Sequence, residues 1–297
     1  MKKPSITALA KAALFAAALI WGLSFTVLKA SIDIIPPITT IGLRFLIASV
    51  FLSVIFLKKF RLLNRDYVLC GILTGVLLGT AYGVQTIGLS GTTPGKNAFL
   101  TAGYCIITPF LYWLIGRKRP TKYNITAAVL CMIGFALVSL DGGLSVSRGD
   151  FFSALCGFFY ALQMCAVAKT FGDKDPVLFS IIQFITAAVC CLGWGFIFEP
   201  HITYIPASVI PNLLFLGIAA TAIALLFQNI GQKYTNPSAA ALILSLESVF
   251  GVIFSLILYE DERLTLRLLL GFIFIFAAII ISETQGGTKN AGKNEGL

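Results

Sequence analysis

The sequence predicts an all-α polytopic membrane protein, with ten transmembrane helices arranged as two inverted five-helix repeats. Three observations lead there. The chain of 297 residues is 58% hydrophobic and 12% charged, too apolar for a soluble domain of that length. Its apolar residues gather in ten stretches, each close to the roughly 20 residues that cross about 30 Å of hydrocarbon. The second half also repeats the first. Pro37, Phe45, Ala48 and Val50 recur as Pro176, Phe184, Ala187 and Val189, a shift of 139. Gln85, Ile87, Gly88, Thr92, Pro94 and Ala98 recur as Gln228, Ile230, Gly231, Thr235, Pro237 and Ala241, a shift of 143.

The first stretch, 12–30, follows Lys2, Lys3 and Lys11 as a signal peptide would. Its apolar run is long, however, and Trp21-Gly22 aligns with Tyr160-Ala161 of the sixth stretch, so it is read as a helix of the mature chain. The second, 37–57, closes at Lys58-Lys59. The third, 68–89, carries Gly71, Gly75, Gly79 and Gly83 as an i, i+4 ridge for close helix packing. The fourth, 94–115, opens at Pro94, where a missing amide is harmless, and should bend at Pro109. The fifth, 124–141, completes a first repeat over 12–141. The sixth to tenth, 150–169, 177–198, 208–231, 237–259 and 265–283, form a second repeat over 150–283. The ninth opens at Pro237, matching Pro94, and carries Ala241, Ser245, Ser248 and Ser255 as a small-residue stripe. Backbone groups cannot stay unpaired in lipid, so these stretches are helices. The tail, 284–297, rich in Gly, Asn and Lys, is expected to be disordered.

A net charge of +9 invites a nucleic-acid partner, but its distribution argues against one. Of the 22 Lys and Arg, sixteen fall on one set of alternate loops, five (Lys29, Lys96, Arg148, Arg263, Arg267) on the other, and Arg44 within a span. The positive-inside rule then puts both termini in the cytoplasm of a cell-membrane protein. Five helices per half is odd, which forces the second copy to be inverted. All seven cysteines lie in the apolar stretches, which gives no disulfide framework or metal site. The only histidine, His201, is in an outer loop, so His-based metal or triad chemistry has no material. Gly91-Thr92-Thr93-Pro94-Gly95-Lys96 is one residue short of a phosphate loop and lies on the wrong side for ATP. No cofactor is implied.

Candidate functional residues are the polar groups at membrane depth. Glu247 lies roughly 15 Å along the ninth helix and Arg44 about 5 Å nearer the outside. A charge there costs at least about 2.5–3.5 kcal/mol, so each should face a partner or a wet cavity. Glu247 either binds protons or substrate, or pairs permanently with Arg44. Arg44 either meets a substrate carboxylate or pairs between helices, and its repeat mate is the neutral Gln183. Lys96 is either a gate or an interfacial cation. Uncharged candidates sit at helical spacing: Trp21 with Ser24, Tyr82 with Gln85, Tyr160 with Gln163, and Thr221 with Gln228. They either line a cavity or bond between helices.

Trp21-Gly22-Leu23-Ser24-Phe25 through Lys29 resembles the first-helix signature of the EamA-type drug/metabolite transporter superfamily, and Arg44-Phe45 its second-helix motif. Ser245-Leu246-Glu247-Ser248-Val249-Phe250, then Glu262-Arg263-Leu264-Thr265 and Gly271, resembles its ninth and tenth helices. Two departures stand out. Ser248 follows Glu247 where the family often has Pro, and Arg119 stands where its first copy has a loop Glu. The resemblance implies a carrier, not an enzyme, that moves small metabolites, amino acids or drugs, usually outward, by alternating access. An importer, an equilibrative exchanger and an intramembrane lipid enzyme are the alternatives. The expected cavity combines Trp21, Ser24, Arg44, Tyr82, Gln85, Tyr160, Gln163, Gln228 and Glu247. Expected partners are a small solute, protons at Glu247 and the lipid bilayer, with no nucleic acid, in a monomer or homodimer.

Overall fold

The computed structural model describes residues 6–114, 119–139, 146–170, 173–234, 237–260 and 263–291. Lys2, Lys3, Arg117, Lys118, Thr235, Glu262 and Lys293 lie outside the described residues. We number the helical segments α1 (Ile6–Ile32), α2 (Pro37–Ile55), α3 (Arg65–Ser90), α4 (Pro94–Leu114), α5 (Lys122–Ser139), α6 (Arg148–Thr170), α7 (Pro176–Phe198), α8 (Ala207–Gln228, continuing to Lys233), α9 (Pro237–Leu258) and α10 (Leu266–Ala291). Among the described residues, seven of them are long and apolar enough to cross a membrane. The other three, α5, α9 and α10, carry shorter apolar runs, Lys122–Val138, Ile243–Leu258 and Leu266–Ser282. Helix α10 runs to Ala291, past residue 284 where the tail was expected to begin.

Helix starts follow local chemistry. Pro37, Pro94, Pro176 and Pro237 each open a helix, where the absent amide costs nothing. The Asn64 side chain caps α3 by accepting from the Tyr67 amide at 3.0 Å. Helix α4 is interrupted, but not at Pro109. Its halves are Pro94–Thr101 and Tyr104–Leu114, and Pro109 sits inside the second. The interruption falls at Ala102-Gly103, where the amides of Gly103, Cys105 and Ile106 bond three residues back and tighten the chain. Glycine is a weak helix former, and a Cβ on Gly103 would sit 2.6 Å from the Phe135 ring. Helix α8 departs from α geometry too, being π-helical over Phe215–Ile223.

The helices pack reciprocally. Helix α3 lies on α6 and α7; α8, at the matching position in the second half, lies on α1 and α2. Helix α4 lies on α6 as α9 lies on α1, while α2 pairs with α7 and α5 with α10. Small residues make the crossings close. A Cβ on Gly75 would sit 2.6 Å from the Gln183 carbonyl oxygen, and one on Gly217 3.1 Å from that of Arg44. Phe45 and Phe184, both fully buried, meet at 5.8 Å in the core between α2, α3 and α7. A second core joins α4, α5, α9 and α10, with Phe99 stacked on Phe272 at 4.3 Å. Outward-facing side chains such as Val54, Val189 and Ile257 are large and apolar.

Helices α2 and α7 are tied at both ends. Beyond the end of α7, Glu199 accepts from the Ile38 amide at 2.7 Å and from the Thr39 amide and hydroxyl, both at 2.8 Å. An anion at a helix N-terminus meets unpaired amides and the positive end of the dipole. Beyond the end of α2, Lys59 pairs with Asp175. The Asp175 carboxylate in turn caps α7 through the Val177 and Leu178 amides at 3.1 and 3.2 Å. Tyr67 Oη accepts from the Asp175 amide at 2.7 Å.

Partial burial alone would raise the Asp175 pKa, but the Lys59 hydrogen bond and the two helix amides outweigh it and hold it below the ordinary carboxylate value. A depressed folded-state pKa stabilises the fold above the unfolded value and loses that effect as pH falls through the folded one. The lead of wild type over Asp175→Asn in thermal stability should therefore be full near neutrality and shrink between about pH 5 and pH 3. Melting curves of detergent-purified protein across that range check it. On the close crossings, Gly75→Leu should destabilise by about 1–3 kcal/mol. Gly193→Ala, whose Cβ meets nothing within 4 Å, should be nearly neutral in the same assay.

Candidate functional site

Two buried charges and three tyrosines form the centre of the molecule. Arg44 on α2 is 2% exposed. Its Nε donates to Thr221 Oγ1 at 2.6 Å and its Nη2 to the Ala220 carbonyl at 3.2 Å, both on the π-helical stretch of α8. The same carbonyl accepts from Trp21 Nε1 of α1 at 2.7 Å. A π-helical stretch explains why that oxygen is available. Where bonding changes from i−5 back to i−4, one carbonyl is skipped by the ladder. The Ala224 amide reaches Ala219, and the next carbonyl, that of Ala220, takes the two side chains instead. Thr221 donates its own proton to the Leu216 carbonyl at 2.8 Å, which turns a lone pair toward Arg44.

From Arg44 a row of rings leads across the molecule. The guanidinium carbon lies 4.8 Å from the centroid of the Tyr82 ring on α3, within cation–π range. Tyr82 meets Tyr160 of α6 edge-on at 5.3 Å, and Tyr160 meets Tyr104 of α4 at 6.1 Å. Phe45 closes on Tyr82 from α2 at 5.1 Å. The row ends where Tyr104 Oη donates to Glu247 Oε1 of α9 at 3.2 Å. The α4 interruption carries Tyr104 immediately after it. Arg44 and Glu247 thus have different partners, and among the described residues no ion pair joins them.

A neutral polar network backs the rings. Tyr160 Oη donates to Gln85 Oε1 at 2.9 Å, and Gln85 Nε2 donates to Thr101 Oγ1 at 3.1 Å. Asn97, fully buried, donates to the Gln85 carbonyl at 3.1 Å and to Ser153 Oγ at 2.7 Å. These bonds tie α3, α4 and α6 together beneath the tyrosines.

The sequence candidates divide accordingly. Trp21, Arg44, Tyr82, Gln85, Tyr160 and Glu247 come together. Ser24 is buried but bonds within its own helix, to the Trp21 carbonyl at 2.7 Å. Gln163 and Gln228 are half-buried, and no hydrogen bond among the described residues brings either to the cluster. Lys96 is held 3.6 Å from Asp150, whose other oxygen accepts from Thr92. Tyr104, Thr101 and Ala220 belong to the cluster without having been singled out. A tyrosine at mid-span of the fourth apolar stretch was the available signal for Tyr104. A backbone carbonyl such as that of Ala220 leaves none.

The model of the EamA-like transporter family matches this chain twice, over residues 9–140 and 147–284. The chain belongs to the EamA-like transporter family. An uncharacterized transporter of Archaeoglobus fulgidus is 30% identical over 266 residues, covering 89% of this chain and 83% of that one. The uncharacterized transporter YoaV of Bacillus subtilis is 24% identical over 277 residues, covering 89% and 93%. A chain known from a crystal structure superposes with a TM-score of 0.66 at 18% identity, covering 94% of this chain and 98% of its own, and shares the fold. The EamA-type chain is therefore a multi-pass membrane transporter, and the polar and aromatic centre lies between helices drawn from both family matches.

Asn97→Ala should cost about 1–3 kcal/mol, since it removes two buried hydrogen bonds that join α4 to α3 and α6. Tyr104→Phe removes one hydroxyl from the buried Glu247 and should cost about 1–3 kcal/mol while also altering transport. Thermal unfolding in detergent, set beside flux in proteoliposomes, separates the two effects.

Proposed function

We propose that this transporter is a secondary carrier of the cell membrane that moves a small polar or amphipathic solute outward by alternating access. It crosses the bilayer ten times as two inverted five-helix halves, with both termini cytoplasmic. The reciprocal packing, α3 on α6 and α7 matching α8 on α1 and α2, supports the inverted pair. The asymmetric loop charge supports the orientation.

The observation that carries the reading is the pair of buried ionisable groups at the two ends of the tyrosine row, Arg44 and Glu247, each with neutral partners. Two such charges in a bundle core mark a solute path more readily than a packing device. In the cycle the solute occupies the space beside Trp21, Tyr82, Gln85 and Tyr160, and rocking of the halves exposes it to each face in turn. Glu247 carries the coupling proton, as a carboxyl at membrane depth is suited to do. An importer and an equilibrative exchanger share this geometry and differ in what drives the flux.

The experiment is counterflow and pH-driven uptake in sealed proteoliposomes, screened across amino acids, nucleosides, sugars and organic cations. Wild type should exchange at least one solute class and accumulate it against a gradient when a pH difference is imposed. Glu247→Gln should retain exchange and lose pH-driven accumulation. Accumulation by that variant with an unchanged pH profile removes the coupling role, and absence of flux for every class removes the carrier.

A further inference from the structure

Arg44 is positioned without being neutralised. Among the described residues its partners are a hydroxyl, a backbone carbonyl and a ring face, and no carboxylate pairs with it. The second half shows what the packing contact alone requires. Gln183, aligned with Arg44, reaches from α7 to the Thr74 carbonyl of α3 at 3.3 Å, as Arg44 reaches from α2 to the Ala220 carbonyl of α8. A neutral amide suffices for that contact. The charge on Arg44 is therefore surplus to packing, at a depth where charge is costly.

The guanidinium also keeps donors in reserve. Of its five N–H groups, the Nε and one on Nη2 are engaged by Thr221 and Ala220. The remaining edge, Nη1 with the second Nη2 hydrogen, has the fork geometry that grips a carboxylate by two parallel bonds. Next to it stand Tyr82, Phe45 and Tyr160, a wall of rings.

Resting on the carrier reading above, we propose that Arg44 is the receptor for the anionic group of the solute. The substrate class is small carboxylates bearing an aromatic or apolar body that lies along the tyrosine row. Thr221 is a positioning residue. Its hydroxyl, fixed by the Leu216 carbonyl, holds Nε so that the free edge faces the solute. The π-helical turn of α8 supplies both fixed acceptors, so the arginine is oriented while its charge stays available.

The test uses the full chain in lipid nanodiscs. Of its three tryptophans, Trp113 and Trp194 are surface residues, so Trp113→Phe with Trp194→Phe leaves Trp21, bonded to the same Ala220 carbonyl as Arg44, as the fluorescent reporter. Titrations use 3-phenylpropionate, its neutral amide and 3-phenylpropylamine. The acid should give a saturable change in Trp21 emission and bind at least about tenfold more tightly than the amide or the amine. Arg44→Gln, which copies the second half, should abolish that preference. Thr221→Val should cut it by about tenfold, and Thr221→Ser should restore it. A merely structural Thr221 would weaken acid and amide alike, and that result overturns the assignment. Equal binding of acid and amide by wild type, or no saturable response to the acid, also overturns it. Counterflow that persists when the same protein is reconstituted in sealed proteoliposomes leaves the carrier reading standing and removes only the carboxylate site.

Discussion

A guanidinium within a membrane bundle needs its donors satisfied, and the way this chain satisfies Arg44 organises everything around it. In an ordinary α-helix each carbonyl oxygen is already engaged four residues on, so a neighbour finds only its second lone pair. The π-helical stretch of α8 loosens that arrangement, and the Ala220 oxygen takes Arg44 from α2 and Trp21 from α1. Three helices are thereby joined at one atom without a counter-charge. A carboxylate in place of Ala220 and Thr221 would have fixed Arg44 as firmly, but would have cancelled its charge.

Polar ties and close packing depend on each other here. Arg44 can reach the Ala220 oxygen because its own backbone carbonyl lies against Gly217, and Gln183 reaches Thr74 because its carbonyl lies against Gly75. A side chain at either glycine would push the helices apart and break the hydrogen bond beyond. Small residues in membrane helices are usually credited with dispersion contacts alone. At these two crossings they also set the reach of a buried polar group.

Much of the fold was legible because hydrocarbon imposes one rule on every helix. The apolar stretches bounded by Pro37, Pro94, Pro176 and Pro237 became helices that begin at those residues. Arg44, Glu247, Tyr82, Gln85 and Tyr160 stood out because polar side chains at membrane depth must meet something. What they meet was not legible. Depth puts Arg44 and Glu247 within reach of one another, but it carries no angle about the bundle axis, and the tyrosine row separates their partners. Pro109 drew attention away from Ala102-Gly103, because a proline announces a kink whereas a glycine break shows only against its packing partner, Phe135. The π-helical turn has no signature in the apolar run Phe215–Ile223.

The two ties between α2 and α7 bear on how such a bundle could rock. Both are closed in this structure, and they differ in kind. Glu199 binds two amides and a hydroxyl at the start of α2, so opening that end strands backbone donors as well as a carboxylate. Lys59 and Asp175 form an ion pair in which Lys59 is half in solvent, a contact that water and salt weaken readily. If Lys59 leaves, Asp175 still caps α7 through Val177 and Leu178, so the helix end loses little. The Lys59 end is therefore the less costly one to part, and the Glu199 end the natural hinge. In the orientation proposed above from the loop charges, the hinge would lie on the outer face and the easier opening on the cytoplasmic one, where a solute bound for export would enter.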